Sequence, residues 1–599
     1  MLRACLAGLC LLLAACDGPA EKPVEDAAPA AKPPNILLIL ADDLGNNDLG
    51  SFGDGSATTP NIDALAARGI RFRRHYAHAT CRPARVELLT GMSASRVGVP
   101  PHIRGITPEL TTLPEALSAG GYTTSHVGKW HLGHQVASAH PLRQGFDRWF
   151  GFLHALQTGT GDIADAISSY RKPFLAAGEE DMTRHKGHLT DILTEAAADE
   201  IRKLSAEGSP WFLNVWYFAP HAPIQPAGRF ARDYPRTPEG KYLALLAQLD
   251  AGVGRLLATL EETGVMDNTV VVFLSDNGGL NKVRNSNRPY YGKKNTFYEG
   301  GFRTPLIIAG PAVADAKDIS DTVLSRDIMP TLLSLAGLDT PQSLDGVDLG
   351  PLLAGGEIDR AGQLFWGFRS YAWAQQGLLD LDEQSLAFGL ELQQLADGEN
   401  YFAEPVSMAD AQLAERHQAI KQWERQVRRV MVQSRQGDDG SRLLSGDSYR
   451  RTPGMGAWSL QLPVMLNKEH APLARQEGQF DLSISEGRLQ LALPGHQVDI
   501  PLETGACNLL SVASYYEWPD RNPENAMGHV RIWMGDTPLY EEAFSIQAEI
   551  IKDDYPPTYI APGVGLPAMH NSYLNGDPVS YYRQRTGEPV SCPSADQAA

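Results

Sequence analysis

The stretch "NILLILADDLG" (Asn35–Gly45) decides the fold. Its run Ile36–Leu40 contains no polar residue, so both faces require burial, as in an interior strand of a parallel sheet. The run stops at two adjacent carboxylates, Asp42 and Asp43. The same grammar returns downstream. "WFLNVWYF" (Trp211–Phe218) breaks at "APHAP", "TVVVFLSDNGG" carries Val270–Leu274 into Asp276 and Asn277, and "TPLIIAG" makes a fourth apolar run. Helical patterns lie between them. One is "TPNIDALAARG". In another, "YLALLAQLDAGVGRLLATLEETG", Leu243, Leu246, Leu249, Val253, Leu256, Leu257 and Leu260 recur near a helical period. Strands alternating with helices imply an α/β fold built on a large mixed, mostly parallel sheet flanked by helices. In such sheets ligands bind beyond the carboxyl ends of the strands, where the polar residues just named fall.

The chain has 599 residues, more than one core accommodates. Its formal charge of -19 disfavours nucleic acid as a partner, although a local basic pocket can still accept a small anion. "MLRACLAGLCLLLAAC" has one early cation, Arg3, and an apolar run too short to span a bilayer. It resembles a bacterial lipoprotein signal (residues 1–16). This implies a cell-envelope, periplasmic protein whose only membrane contact is a lipid on Cys16; an ordinary secretory signal and a secreted protein are the alternative. Residues 17–34, rich in Pro and Ala, read as a disordered linker. Of the remaining cysteines, Cys507 and Cys592 could pair in an oxidising compartment, which leaves Cys81 alone. Considered by itself, Cys81 is a buried apolar thiol.

We place a catalytic domain at 35–440 and a β-rich C-terminal domain at 441–599. The stretch from about 376 is acidic and without clear period. Farther on, "FDLSISEGRLQLAL" alternates through a Glu-Gly turn, a hairpin signal. "HVRIWMGD" adds another strand.

Asp42, Asp43, Asp276 and Asn277 are hard oxygen donors at two distant strand ends. Converging, they suit Ca²⁺ or Mg²⁺; each alone reads as a turn residue. "GYTTSHVGKWHLG" sets Lys129 and His131 two apart, which in an extended segment points both the same way. His221 lies in "APHAP" between prolines, and Lys294 in "GKKNTFYEGGFRTP". Two lysines, two histidines and a divalent cation would bind a tetrahedral oxyanion and protonate a leaving oxygen.

"CRPAR" (Cys81–Arg85) fits the C-x-P-x-R signature of the formylglycine-dependent sulfatases, of alkaline-phosphatase-like fold. "VELLTG", "GYTTSHVGKWHLG", "APHAP", "LSDNGG" and "YEGGFRTP" resemble that family's further landmarks in the same order. The resemblance covers about residues 35–375. It implies hydrolysis of a sulfate ester on a sulfated carbohydrate or aryl sulfate. It further implies that a formylglycine-generating enzyme converts Cys81 to formylglycine. The hydrated gem-diol, bound to Ca²⁺ held by Asp42, Asp43, Asp276 and Asn277, would attack sulfur. Arg85 would polarise the formylglycine, Lys129 and Lys294 would bind sulfate oxygens, His131 would act as base, and His221 with Lys294 would protonate the leaving oxygen. Arg82 and Ala84 depart from the small hydroxyl residues common in the motif. Two other readings are a phosphoester or phosphonate monoester hydrolase of the same superfamily, against which Asn277 argues, and a non-catalytic sulfated-glycan-binding lipoprotein.

Overall fold

The computed structural model describes residues 32–97, 106, 110–133, 139–154 and 169–360 except 179, 181 and 341–343, and beyond 360 chiefly the β-strands between 363 and 570. The signal-like segment, the linker up to residue 31, the expected boundary at 440/441 and Cys592 lie outside the described residues. Cys507 is disulfide-bonded.

Ten strands form one sheet: β1 (Asn35–Asp42), β2 (Ile70–Tyr76), β3 (Thr123–Lys129), β4 (Arg148–Phe152), β5 (Phe174–Ala177), β6 (Thr183–Arg184), β7 (Trp211–Pro220), β8 (Thr269–Ser275), β9 (Leu306–Ala309) and β10 (Lys317–Leu324). Their spatial order is β10-β2-β9-β8-β1-β7-β3-β4-β5-β6. The central run β8, β1, β7, β3, β4 is parallel throughout. The "TPLIIAG" strand, β9, is an antiparallel insertion between β8 and β2.

Every residue of β1, β7 and β8 is buried, which explains why those runs are continuously apolar. Leu37 and Ile39 face one core, packed with helices Leu189–Glu207 and Pro238–Glu262; Ile36, Leu38 and Leu40 face the other, with helices Cys81–Thr90, Leu113–Ala119 and Ile328–Leu335. Pro238–Glu262 is long and apolar enough to cross a membrane, yet its Leu245, Leu249, Val253, Leu256 and Leu260 are fully enclosed in the first core.

At Gly128 the sheet tolerates no side chain. Gly128 has φ +122°, and a Cβ there would lie 2.0 Å from the Trp216 carbonyl oxygen. This close approach of β3 to β7 carries Lys129 to the strand end beside Asp42.

Residues 363–407 hold a second, five-stranded antiparallel sheet in sequential order, for which the acidic sequence gave no period. Among its described residues, Trp366 donates to the Ala77 carbonyl (3.0 Å) and packs on Tyr76 and Phe302, and Leu379 and Leu364 join the same cluster. The β-rich C-terminal region comprises a six-stranded and a five-stranded antiparallel sheet around a shared core that includes Leu462, Leu482, Leu491, Val512 and Ile532. The expected hairpin pairs Phe480–Ser485 with Arg488–Leu493 through Glu486 (φ 52°) and Gly487 (φ 68°). Two positive φ values are what a tight two-residue turn needs to match strand twist.

Gly128→Ala must strain the backbone and push β3 from β7. It should cost at least about 2 kcal/mol, read as a lower urea midpoint with an unchanged denaturant slope.

Candidate active site

The parallel strands end together, and their ends carry the charges. Asp42 closes β1. Asp43 follows it in a left-handed conformation (φ 67°) that turns its carboxylate toward the same spot. Asp276 and Asn277 follow β8, and Asp276 Oδ1 accepts the Asp43 N–H (3.2 Å). Lys129 closes β3 and meets Asp42 Oδ2 at 2.5 Å. Cys81 opens the helix Cys81–Thr90 and is 5% exposed. Its sulfur lies 3.0 Å from Lys294 Nζ and 3.8 Å from Asp43 Oδ1, while Lys294 also donates to Asp43 Oδ1.

Arg85 sits one turn along that helix, fully buried. Its Nε and Nη2 fork onto Asp276 Oδ2 (3.2 and 2.9 Å), its Nη1 donates to the Lys129 carbonyl (3.1 Å), and its guanidinium lies 4.8 Å over the Trp216 ring. Arg82 and Ala84 are buried too, so Arg82 is not a surface arginine.

His221 follows β7. Its Nε2 is 3.7 Å from Asp43 Oδ2, and its Nδ1 lies 2.6 Å from the Ala222 carbonyl, which fixes the ring. Asp42, Asp43, Cys81 and His221 bring one ligand-type atom each to within 4.8 Å of one another.

His131 departs from expectation. The chain is not extended there: β3 ends at Lys129, and His131 takes φ 62°. The ring therefore does not reach the site by simple alternation. It still lies close enough that Lys129 and Arg82, after burial, hold it well below its usual range. Its Nδ1 is enclosed without a hydrogen-bond partner among the described residues.

Within the carboxylate cluster, Asp42 Oδ1, Asp43 Oδ2 and Asn277 Oδ1 are buried and have no donor among the described residues. An orphaned buried acceptor is costly. Orphans on three neighbouring residues of a hard, oxygen-only set are what a divalent cation of the Ca²⁺ class would satisfy. The electrostatics agree. Burial opposes charge on Asp42, but Lys129, His221 and Arg85 hold its carboxyl well below the usual range. Burial and then the Asp42 charge push Asp276 up to about 7. Burial, reinforced by Asp276, raises the Cys81 thiol well above its ordinary value. Cys81 as a thiol is therefore neutral and a poor nucleophile.

Sequence reasoning missed two supports. Tyr170, fully buried, has its hydroxyl 2.9 Å from the Phe218 carbonyl and 2.8 Å from that of His221, clasping the loop that carries the histidine. It is a single tyrosine in an irregular stretch and gave no signal. Trp216 read as plain core within "WFLNVWYF", whereas its ring floors Arg85.

A predominantly parallel α/β sheet whose strand ends gather carboxylates, lysines and an arginine around one helix N-terminus places the chain in the alkaline-phosphatase-like superfamily. The family model described as Sulfatase matches residues 34–338, and the chain belongs to that family. It is 38% identical over 319 residues to N-acetylgalactosamine-6-sulfatase of Rattus norvegicus, covering 49% of this chain and 60% of that protein. It is 34% identical over 317 residues to arylsulfatase A of Homo sapiens, covering 47% and 60%. The chain thus spans 60% of the length of these relatives. Among solved structures, Ps i-CgsB in complex with k-i-k-neocarrahexaose superposes with a TM-score of 0.59 at 27% identity, over 66% of this chain and 93% of that one. The phosphonate monoester hydrolase of Agrobacterium radiobacter shares the fold (TM-score 0.50, 22% identity, over 68% and 99%).

Glu87, on the Cys81 helix, accepts the Ala94 N–H (3.1 Å) and lies 3.8 Å from Arg326, yet burial pushes its carboxyl up to about 7. The folded value exceeds the ordinary 4.5. At Glu87 the folded state therefore holds more of a proton between these values, and this group's contribution to stability falls as pH rises from about 4.5 to about 7. Glu87→Gln should remove that contribution, so the urea midpoint of the variant relative to wild type should rise across the window; Asp48 and Asp276, raised by burial, slope the same way as Glu87, and His75 and His126, lowered by burial, slope the other way in both proteins.

Proposed function

We infer that the chain hydrolyses sulfate esters carried by sulfated carbohydrates, with aryl sulfates as simpler substrates. The observation that carries this reading is the setting of Cys81. It is enclosed at a helix N-terminus, against Lys294 and Asp43, inside a carboxylate cluster with orphaned oxygens, within a C-x-P-x-R sequence of the Sulfatase family. The relatives' names and the glycan-bound neighbour support a carbohydrate sulfate.

Asp42, Asp43, Asp276 and Asn277 hold Ca²⁺, and a formylglycine-generating enzyme acts on Cys81 during maturation. Bound Ca²⁺ and formylglycine supply charge neutralisation and an oxygen nucleophile. The remaining work falls to the chain's own groups. Lys129 and Lys294 hold sulfate oxygens and offset charge that develops on them. Arg85 fixes residue 81 relative to Asp276. His221 Nε2, with Lys294, delivers a proton to the leaving oxygen; its Nδ1 contact with Ala222 keeps the ring in place. His131, kept neutral by burial and nearby cations, accepts a proton at residue 81. We further propose a lipid anchor at Cys16 in the bacterial cell envelope.

The deciding measurement compares 4-nitrophenyl sulfate with 4-nitrophenyl phosphate, using protein made alongside a formylglycine-generating enzyme. Sulfate turnover should dominate, vanish with a chelator and return with Ca²⁺, and mass spectrometry should find the Cys81 peptide converted. Preference for phosphate would sink this reading in favour of a phosphoester or phosphonate hydrolase. Binding of sulfated glycan with Cys81 unconverted and no turnover would favour a binding lipoprotein. His221→Ala should slow sugar sulfates by about 10²–10⁴-fold, the range of a lost proton donor, and aryl sulfates, whose leaving groups need little protonation, far less.

A further inference from the structure

The loop that delivers Lys294 carries more positive charge than the reaction uses. From Asn277 to Tyr298 the sequence has no Asp or Glu and five cations, Lys282, Arg284, Arg288, Lys293 and Lys294, in a chain of net charge -19. Lys294 belongs to the reaction centre, and Arg284 is buried against Asp48. Lys282, Arg288 and Lys293 are exposed. The next acid, Glu299, offers no neutralisation at the surface, because it is buried and paired with Arg303 (2.5 Å) and Tyr76 (2.9 Å).

The loop is also held in shape. Asn287 accepts the Gly279 N–H (2.7 Å) and donates to the Gly279 carbonyl (2.9 Å) and to Asn281 Oδ1 (3.1 Å). Asn281 in turn donates to the Gly292 carbonyl (3.1 Å). This clip brings residues 281 and 292 together, so the exposed Lys282 and Lys293 each follow one side of the same contact. Asn281 and Asn295 take left-handed conformations (φ 54° and 69°), which asparagine tolerates. The Asn295 N–H reaches the Ala79 carbonyl (2.8 Å), tying the loop to the segment that enters Cys81. Two half-buried tyrosines, Tyr291 and Tyr298, meet edge to face at 5.0 Å on the same loop. A loop whose backbone is held by asparagine clips needs no ordering of its own when an anion arrives, so less affinity is lost to entropy.

We propose that Lys282 and Lys293 form an accessory anion subsite, which takes a second sulfate or carboxylate on a sugar neighbouring the one being hydrolysed. The preferred substrate is then a polyanionic glycan rather than an isolated monosulfated sugar. This rests on the sulfate-ester reading above. In a strongly acidic chain such a patch draws a polyanion toward the pocket and away from the rest of the surface.

The test uses the full chain and the double variant Lys282→Ala/Lys293→Ala. Three substrates are compared: an aryl sulfate, a neutral oligosaccharide with one sulfate, and an oligosaccharide with anionic groups on adjacent sugars. KM for the polyanionic substrate should rise about tenfold, the scale of two exposed ion pairs, with kcat and both monosulfated substrates unchanged. The contrast should shrink at high salt, and Lys282→Arg/Lys293→Arg should restore wild-type KM. An unchanged KM for the polyanion, or an equal effect on all three substrates, overturns the subsite. Calorimetric binding of the polyanionic oligosaccharide reads the same contrast without turnover. Absence of turnover by the wild type counts against the sulfate-ester reading, whereas equal calorimetric affinity of wild type and double variant counts against the subsite.

Discussion

The structure depends on keeping charge dry at the carboxyl ends of its central strands. Asp42 and Asp276 are fully buried, Asp43 nearly so, and they face Arg85, Lys129 and Lys294. Three carboxylates against three cations leave the cluster formally neutral. Neither sign would survive alone in that setting, because removing one partner strands the other in a medium that solvates it poorly. The compensation is incomplete, as the orphaned oxygens of Asp42, Asp43 and Asn277 show. On our functional reading, a divalent cation there would turn a neutral cluster positive. A pocket in a chain of net charge -19 would then attract a sulfate ester that the surface as a whole repels.

Much of this arrangement was legible in the residues. A strand buried on both faces must be apolar throughout, so β1, β7 and β8 announced themselves and their polar terminations marked the site. The convergence of Asp42, Asp43, Asp276 and Asn277 could be anticipated only because parallel strands share an end. Periodicity failed where geometry is not periodic. His131 follows a change of backbone region that no alternation rule contains. Tyr170 acts through its hydroxyl on two carbonyls, a tertiary contact with no local sequence correlate. In the sheet across residues 363–407, the strands Ser385–Phe388, Glu391–Gln394 and Val406–Ser407 are too short to show alternation and follow an acidic stretch.

The C-terminal sandwich contrasts with the site region. Its alternating strands keep one face apolar, as in Phe480, Leu482 and Ile484, with polar residues between them. Such strands can be read one at a time, since each carries its own inside and outside. The central strands of the larger sheet cannot; their meaning lies in the polar residues at and just beyond their carboxyl ends.

Arg85 links residues that the sheet already holds apart at fixed spacing. Its guanidinium bonds to Asp276 beyond β8 and to the Lys129 carbonyl at the end of β3, lies over Trp216 of β7 and sits 3.6 Å from Asp42 of β1. Four neighbouring strands are thereby strutted at one end by a single planar group. A strut of this kind makes the floor of the pocket mechanically stiff: it cannot widen for a bulkier ligand without shearing strand against strand. Adaptation to new ligands is then confined to the rim, where loops can lengthen, swap charges or change shape while the floor stays the same.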